Sequence, residues 1–334
     1  MSAPRSLTRP PALRPGDRVA VLCVSGPVEA GPLETGLDTL RFAGLEPVVY
    51  ASAREPGSFR EYLAGDDKTR AADLMSALTD PDIAGIIFAK GGYGSQRTLE
   101  AVNWDSLAGL APKVLSGYSD ITAILEAVAV KLGWASLFSP MAAVQEKQAH
   151  YSFGSLLRTL TRPGAATEIR YPDAVTVTGG AARGVTKGGT LTLLSSSVGT
   201  DTSWPADGGI MLLEDVEEEP YRLDRMLTQL RRSGYLDGVA GIITGTFTDC
   251  GPRAEVHDIL VERLGDLEVP MISWANVGHG GKFQTFPVGI AAELDADACV
   301  LRLLDPPLLT AEDQTTPEDQ TTPEGQVAHR HQLP

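Results

Sequence analysis

Cysteine is scarce. Cys23, Cys250 and Cys299 are too few, too widely spaced and odd in number for a disulfide framework, and none forms a CxxC pair. A reducing, cytoplasmic setting fits that usage. Without a cysteine ligand set or an HExxH string, neither a metal nor another cofactor is expected. Basic residues are also in deficit: 28 Lys and Arg stand against 43 Asp and Glu, a formal net charge of −15. Nucleic acid and anionic lipid are bound by neutralising phosphates with Lys and Arg, so neither is an expected partner. No run of about 18 uninterrupted apolar residues occurs, and the opening MSAPRSLTRPPALRPGDRVAV lacks the apolar stretch of a secretory signal. The chain reads as a soluble cytoplasmic protein.

What is present is a globular composition, 43% hydrophobic and 21% charged, which excludes disorder throughout. A length of 334 residues exceeds one ordinary domain of about 100–200 residues. Along the chain, strand and helix patterns alternate. Arg18 to Val24 reads as a strand, followed by a Ser25-Gly26-Pro27 turn and by Leu33, Leu37 and Leu40 at helical spacing up to Gly44. Glu46 to Tyr50 is a second strand, and Asp66 to Leu78 a helix with Asp66 as N-cap. Ile83 to Ala89 is a buried strand ending at Gly91-Gly92. Lys113 to Ser116 and Ile121 to Leu132 give one more strand and helix. This alternation predicts an α/β fold with a mostly parallel sheet whose ligands bind beyond the carboxyl ends of the strands.

From Thr161 to Lys187 the texture changes to short β-like pieces, Glu168 to Tyr171 and Val175 to Thr178, without a helix signal. The expected division is therefore an N-terminal domain over 1–163 and a smaller, mixed β-rich C-terminal domain over 164–310. The second contains a strand at Gly209 to Leu213, an amphipathic helix at Arg222 to Arg232 closed by Gly234, and a strand at Val239 to Thr244. Residues 311–334 hold the unit EDQTTP twice and carry five acids against Arg330. That segment is expected to be a disordered acidic tail.

Four segments after predicted strands carry reactive groups. Gly117-Tyr118-Ser119-Asp120 stands between a strand and a helix, where a nucleophile elbow would expose a serine. Ile121 occupies the last place of GxSxG, so helix capping by Ser119 or Asp120 is the competing reading. Of five histidines, His329 and His331 fall in the tail, His257 in the helical pattern EVHDILVERL, and His150 is ambiguous. His279, in Gly278-His279-Gly280-Gly281, follows the apolar run Val269 to Ile272 and is the best general base, a structural histidine in a glycine turn being the alternative. Glu214 and Asp215 end the strand GGIMLL and open an acidic run, and periodicity does not say which points inward. Gly91-Gly92-Tyr93-Gly94 could turn backbone N–H groups toward an oxyanion, phosphate cradling being the rival.

Taken together and in this order, Ala89-Lys90-Gly91-Gly92-Tyr93-Gly94-Ser95, Gly117-Tyr118-Ser119-Asp120-Ile121-Thr122, Leu213-Glu214-Asp215 with Tyr221 to Leu227, and Gly278-His279-Gly280 resemble the LD-carboxypeptidase family of serine peptidases. That family also contains the microcin C immunity peptidases. The resemblance implies a flavodoxin-like N-terminal domain and a triad of Ser119, Glu214 and His279. It also implies an oxyanion hole from the backbone N–H groups of Gly92 and Asp120, and a homodimer. The implied activity releases a terminal D-amino acid from muropeptide stems by cutting an L–D amide. The alternative is hydrolysis of an amide joining an acidic residue to a nucleotide, so the substrate expected is a small peptide or peptidyl-nucleotide. Tyr93, Lys187 and Thr190 are further positions expected to meet substrate. Thr190 stands where the family often has Asn, Lys90 where it often has Arg, and Lys187 where the immunity branch has Trp. Trp204 and Trp274 could replace that ring.

Overall fold

The computed structural model describes residues 4–54, 60–143, 149–310 and 313. The expected tail, with His329 and His331, lies outside the described residues apart from Asp313, as does the side chain of His150.

The first sheet is built by β1 (Arg18–Leu22), α1 (Ala30–Phe42), β2 (Glu46–Val49), α2 (Asp67–Thr79), β3 (Ile83–Phe88), α3 (Ser95–Glu100), β4 (Val114–Gly117), α4 (Thr122–Leu132) and β5 (Ser136–Phe138). Each element follows from local chemistry. IAGIIF in β3 is apolar along nearly its whole length because helices cover both faces. Leu33, Leu37 and Leu40 place one stripe of α1 in the core. The Asp66 carboxylate accepts the Thr69 N–H at 2.7 Å and starts α2, as the sequence predicts. The parallel strand order is β2-β1-β3-β4-β5, so a crevice opens at the carboxyl ends where the order reverses about β1 and β3.

The remaining elements are α5 (Ala149–Thr161), β6 (Glu168–Arg170), β7 (Val175–Thr178), β8 (Ala181–Thr190), α6 (Leu191–Ser197), β9 (Gly209–Val216), α7 (Pro220–Arg232), β10 (Gly241–Thr248), α8 (Arg253–Leu264), β11 (Met271–Ser273), β12 (Phe286–Val288), β13 (Ala291–Asp295) and β14 (Val300–Leu303). They give a mixed sheet of order β6-β14-β13-β8-β9-β10-β11-β7. Its centre, β8 to β11, is parallel, and β13, β14, β6 and β7 add antiparallel flanks.

Three departures from the sequence reading matter. The 161–187 stretch holds the start of a ten-residue strand, β8, whose Gly-rich end hid it. The strand expected to stop at Thr244 continues to Thr248 across a register shift between Thr244 and Phe247. β12 crosses the sequence division at Pro163: it returns to the first sheet and pairs antiparallel with β5, Phe286 opposite Phe138.

The largest hydrophobic cluster draws on both sheets, with Phe88, Phe138 and Ile124 packed among Ile210, Leu212, Ile243, Phe283 and Phe286. Helix α4 is buried from Thr122 through Ala129, hydrophobic all round because apolar layers cover it on every side. Among the described residues no helix is long and apolar enough to cross a membrane.

One acid interrupts α4. Glu126 is buried and accepts hydrogen bonds from the Tyr235 hydroxyl at 2.7 Å and the Trp204 N–H at 3.2 Å. Burial pushes its carboxyl up to about 7. A carboxyl raised on folding contributes stability that is complete below its unfolded value and is lost as pH rises through the folded one. Urea denaturation is therefore expected to show stability falling from pH 4.5 to above 7, with Glu126→Gln removing a share on the order of 3 kcal/mol of that fall. An unchanged pH slope in the variant would contradict the assignment.

Candidate active site

Three loops meet over the crevice. Ser119 follows β4 in a 3₁₀ turn with φ 62°, a left-handed conformation unusual for a side-chain-bearing residue. This is the sharp strand-to-helix turn that lifts a hydroxyl clear of a sheet. The glycine loop after β3 packs directly on it: a Cβ at Gly91 would stand 3.1 Å from the Ser119 Cβ and 3.3 Å from its Oγ. Any other residue there would crowd the hydroxyl. Gly92, the next residue of that loop, has φ 109°, and Asp120 follows the serine directly.

The capping alternative for these residues is not what the structure contains. Neither Ser119 nor Asp120 caps α4 with its side chain. The Asp120 carboxylate, buried, instead accepts the Ser25 hydroxyl at 2.5 Å and the Ser95 N–H at 2.8 Å. Its carbonyl accepts the Ser95 hydroxyl at 2.7 Å. One residue thus ties the ends of β1 and β4 and the start of α3 into a single frame. Burial raises the Asp120 carboxyl, opposed by these same hydrogen bonds.

His279 arrives from the loop between β11 and β12. Its Nε2 lies 3.1 Å from Ser119 Oγ and its Nδ1 2.8 Å from Glu214 Oε2. Glu214, at the end of β9 and 0% exposed, also accepts the His279 N–H at 3.2 Å and, on Oε1, the Thr190 hydroxyl at 2.5 Å. Gly278, at φ 108°, permits this approach, since a Cβ there would fall 2.2 Å from Glu214 Oε2. Gly280 N–H is held by Thr246 Oγ1 at 3.1 Å. The Tyr118 ring packs against the imidazole, centroids 4.8 Å apart, and burial, aided by the Glu214 charge, pushes the phenol up to about 12. The question of Glu214 or Asp215 is answered by the strand: Asp215 faces the other way, accepting the Thr192 N–H and hydroxyl at 2.9 and 2.8 Å.

The other expected positions have different surroundings. Lys187 is buried, with Nζ donating to the Pro205 and Asp207 carbonyls at 2.7 and 3.0 Å and lying over the Trp204 ring. It is a structural cation, and burial lowers its pKa. Thr190 meets Glu214 through its hydroxyl, which is spent on the carboxylate. Trp204 is taken up by Lys187, and Trp274 by Phe247, His257 and the Arg253 guanidinium. Tyr93, 52% exposed, stands beside the glycine loop with its ring edge toward Tyr62, centroids 5.8 Å apart. Lys90 is partly buried and makes no ion pair among the described residues. Among those residues, no group of three or more His, Cys, Asp or Glu could hold a metal ion. The bracing contacts of Asp120, Thr122, Thr246 and the Tyr118 ring were not legible in the sequence, because each joins distant segments.

A hydroxyl, an imidazole and a buried carboxylate in line are the groups that nucleophilic acyl transfer requires. Comparisons with known proteins agree in class. Residues 19–139 match the LD-carboxypeptidase N-terminal domain and residues 183–294 the LD-carboxypeptidase C-terminal domain. A Streptomyces coelicolor protein is 43% identical over 305 residues, 91% of this chain and 98% of its own length. The murein tetrapeptide carboxypeptidase of Pseudomonas aeruginosa is 33% identical over 300 residues, 84% of this chain and 94% of its own. The microcin C7 self-immunity protein MccF of Escherichia coli is 23% identical over 318 residues, 84% of this chain and 91% of its own. A solved structure of MccF with glutamyl sulfamoyl guanosine aligns with a TM-score of 0.81 at 21% identity, over 90% of this chain and 99% of that one. The chain belongs to the LD-carboxypeptidase family, a family of serine-type hydrolases.

The electrostatics of the imidazole fix a pH dependence. Burial opposes its protonation, but the Glu214 charge and hydrogen bond outweigh burial and raise its pKa above the ordinary 6.5. A general base works only when neutral. The acid limb of kcat/KM for peptide hydrolysis is therefore expected to have its midpoint above 6.5, measured between pH 5 and 9. A midpoint below 6.5 would count against His279 as the base.

Proposed function

We propose that the chain is a serine carboxypeptidase that hydrolyses the L–D amide of a muropeptide stem and releases the terminal D-alanine. Ser119 Oγ attacks the amide carbonyl while His279 Nε2 takes its proton. Glu214 holds the ring by Nδ1 and stabilises its charged form. The backbone N–H groups of Gly92 and Asp120 receive the tetrahedral oxyanion. His279 then protonates the leaving amine, and water resolves the acyl-enzyme through the same ring. The three side chains and two amides supply every proton transfer and charge that this sequence of steps needs.

The observation that carries this reading is the unbroken line from Ser119 Oγ through His279 to Glu214, 3.1 and 2.8 Å. Lys187 is committed to carbonyl oxygens, which leaves Lys90, at the start of the glycine loop, as the other cation named for an anionic peptide. That commitment also argues against the nucleotide reading, which expects an aromatic ring at position 187. Cytoplasmic location, read from cysteine usage, and a homodimer, implied by the family resemblance, accompany the proposal.

Free D-alanine release from L-Ala-D-Glu-diaminopimelate-D-Ala tests the reading, with Ser119→Ala as control. The parent is expected to release D-alanine and the folded variant to lose about 10⁴-fold or more in rate. Undiminished release by Ser119→Ala would remove the serine from the mechanism. Cleavage of an aspartyl-nucleotide amide in place of the tetrapeptide would keep the triad and change the substrate.

A further inference from the structure

Thr190 ends β8 and sits in register beside Glu214 on the neighbouring parallel strand β9. It is 3% exposed, and its two polar groups reach in different directions. The backbone N–H donates to Thr122 Oγ1 at 3.2 Å, in the first turn of the helix that follows Ser119. The hydroxyl donates to Glu214 Oε1 at 2.5 Å. Among the described residues this is the donor to that oxygen, while Oε2 receives both His279 contacts. An ionised carboxylate only accepts, so the direction of the bond is fixed. A buried carboxylate held by one oxygen can swing about its last torsion, whereas held by both it has one plane.

We infer that Thr190 is a positioning residue for the reaction proposed above, on whose triad this inference rests. Its hydroxyl fixes the Glu214 carboxylate plane so that Oε2 meets His279 Nδ1, and its backbone ties that carboxylate to the nucleophile helix. The bond also draws carboxylate charge away from the imidazole, so in its absence the Glu214–His279 contact holds the His279 proton to higher pH. The titratable groups whose charges act on or feel the pair are Tyr118 from the nucleophile segment, Asp215 and Glu217 from β9 and the turn after it, and Cys250 from beyond β10. None of them is altered by the substitutions below.

The test is Thr190→Val, which keeps the shape and the N–H bond to Thr122 and removes the hydroxyl. Expected are a fall of about 10-fold in kcat for D-alanine release with KM unchanged, and an upward shift of about one pH unit in the acid limb of kcat/KM. Thr190→Ser, which restores a hydroxyl, is expected to return both. A role confined to packing would lower the melting temperature and leave the acid limb in place. Should Val fail to fold by circular dichroism, Thr190→Ala removes the same donor and carries the same readouts. A folded variant without the hydroxyl, with kcat within twofold of the parent and an unmoved acid limb, overturns the inference. Ser119→Ala run in parallel separates the two claims, since its retained activity would overturn the triad whatever Thr190 does.

Discussion

One imidazole holds this molecule to its geometry. His279 is hydrogen-bonded on one side to a serine after the first sheet and on the other to a carboxylate at the end of a strand in the second. A ring about 2 Å across cannot tolerate drift between the bodies that carry its partners, since hydrogen bonds weaken steeply beyond about 3.2 Å. The rest of the fold answers that demand. The core is continuous across both sheets, α4 is packed on every side, and β12 leaves the histidine loop to end as an edge strand of the serine's sheet. The loop that brings the imidazole is therefore fastened directly to the sheet that brings the serine.

The parts legible in the sequence were those whose cause is local. Alternating apolar runs and helical stripes gave the parallel sheet, and Asp66 before a helical pattern gave a cap. Ser119 between a strand and a helix, and His279 among glycines, stood out because backbone geometry there needs particular residues. The choice between Glu214 and Asp215 was closed to such reasoning: β9 is buried on both faces, so no alternation of polar and apolar residues marks its sides. β12 was equally hidden, as three residues that pair with a strand some 150 positions earlier carry no period of their own. Lys187 and Thr190 were recognised as positions of interest, but their tasks depend on what lies across the sheet. A lysine faced by two carbonyl oxygens is a brace, and a threonine faced by a carboxylate is a donor.

Buried acids qualify the charge read from composition. A count of −15 takes every carboxyl as ionised. Burial pushes Glu126 and Asp215 up to about 7 each, Asp215 with the further repulsion of Glu214, and it raises Asp120 as well. Near neutral pH the folded protein is accordingly less negative than its sequence, and the difference is concentrated around the elements that carry the site. Glu214 itself is met by three donors, the Thr190 hydroxyl and the backbone N–H and Nδ1 of His279.

The order of the three segments along the chain has a consequence for synthesis. The serine turn is complete by residue 122, whereas the imidazole is made some 160 residues later, after the strand that bears its carboxylate. A ribosome-bound N-terminal half, even with its parallel sheet formed, holds the Ser119 hydroxyl without the imidazole that meets it in the finished fold. The fastening strand β12 is added only after the histidine itself. The complete line from Ser119 through His279 to Glu214 thus arrives late, with closure of the fold.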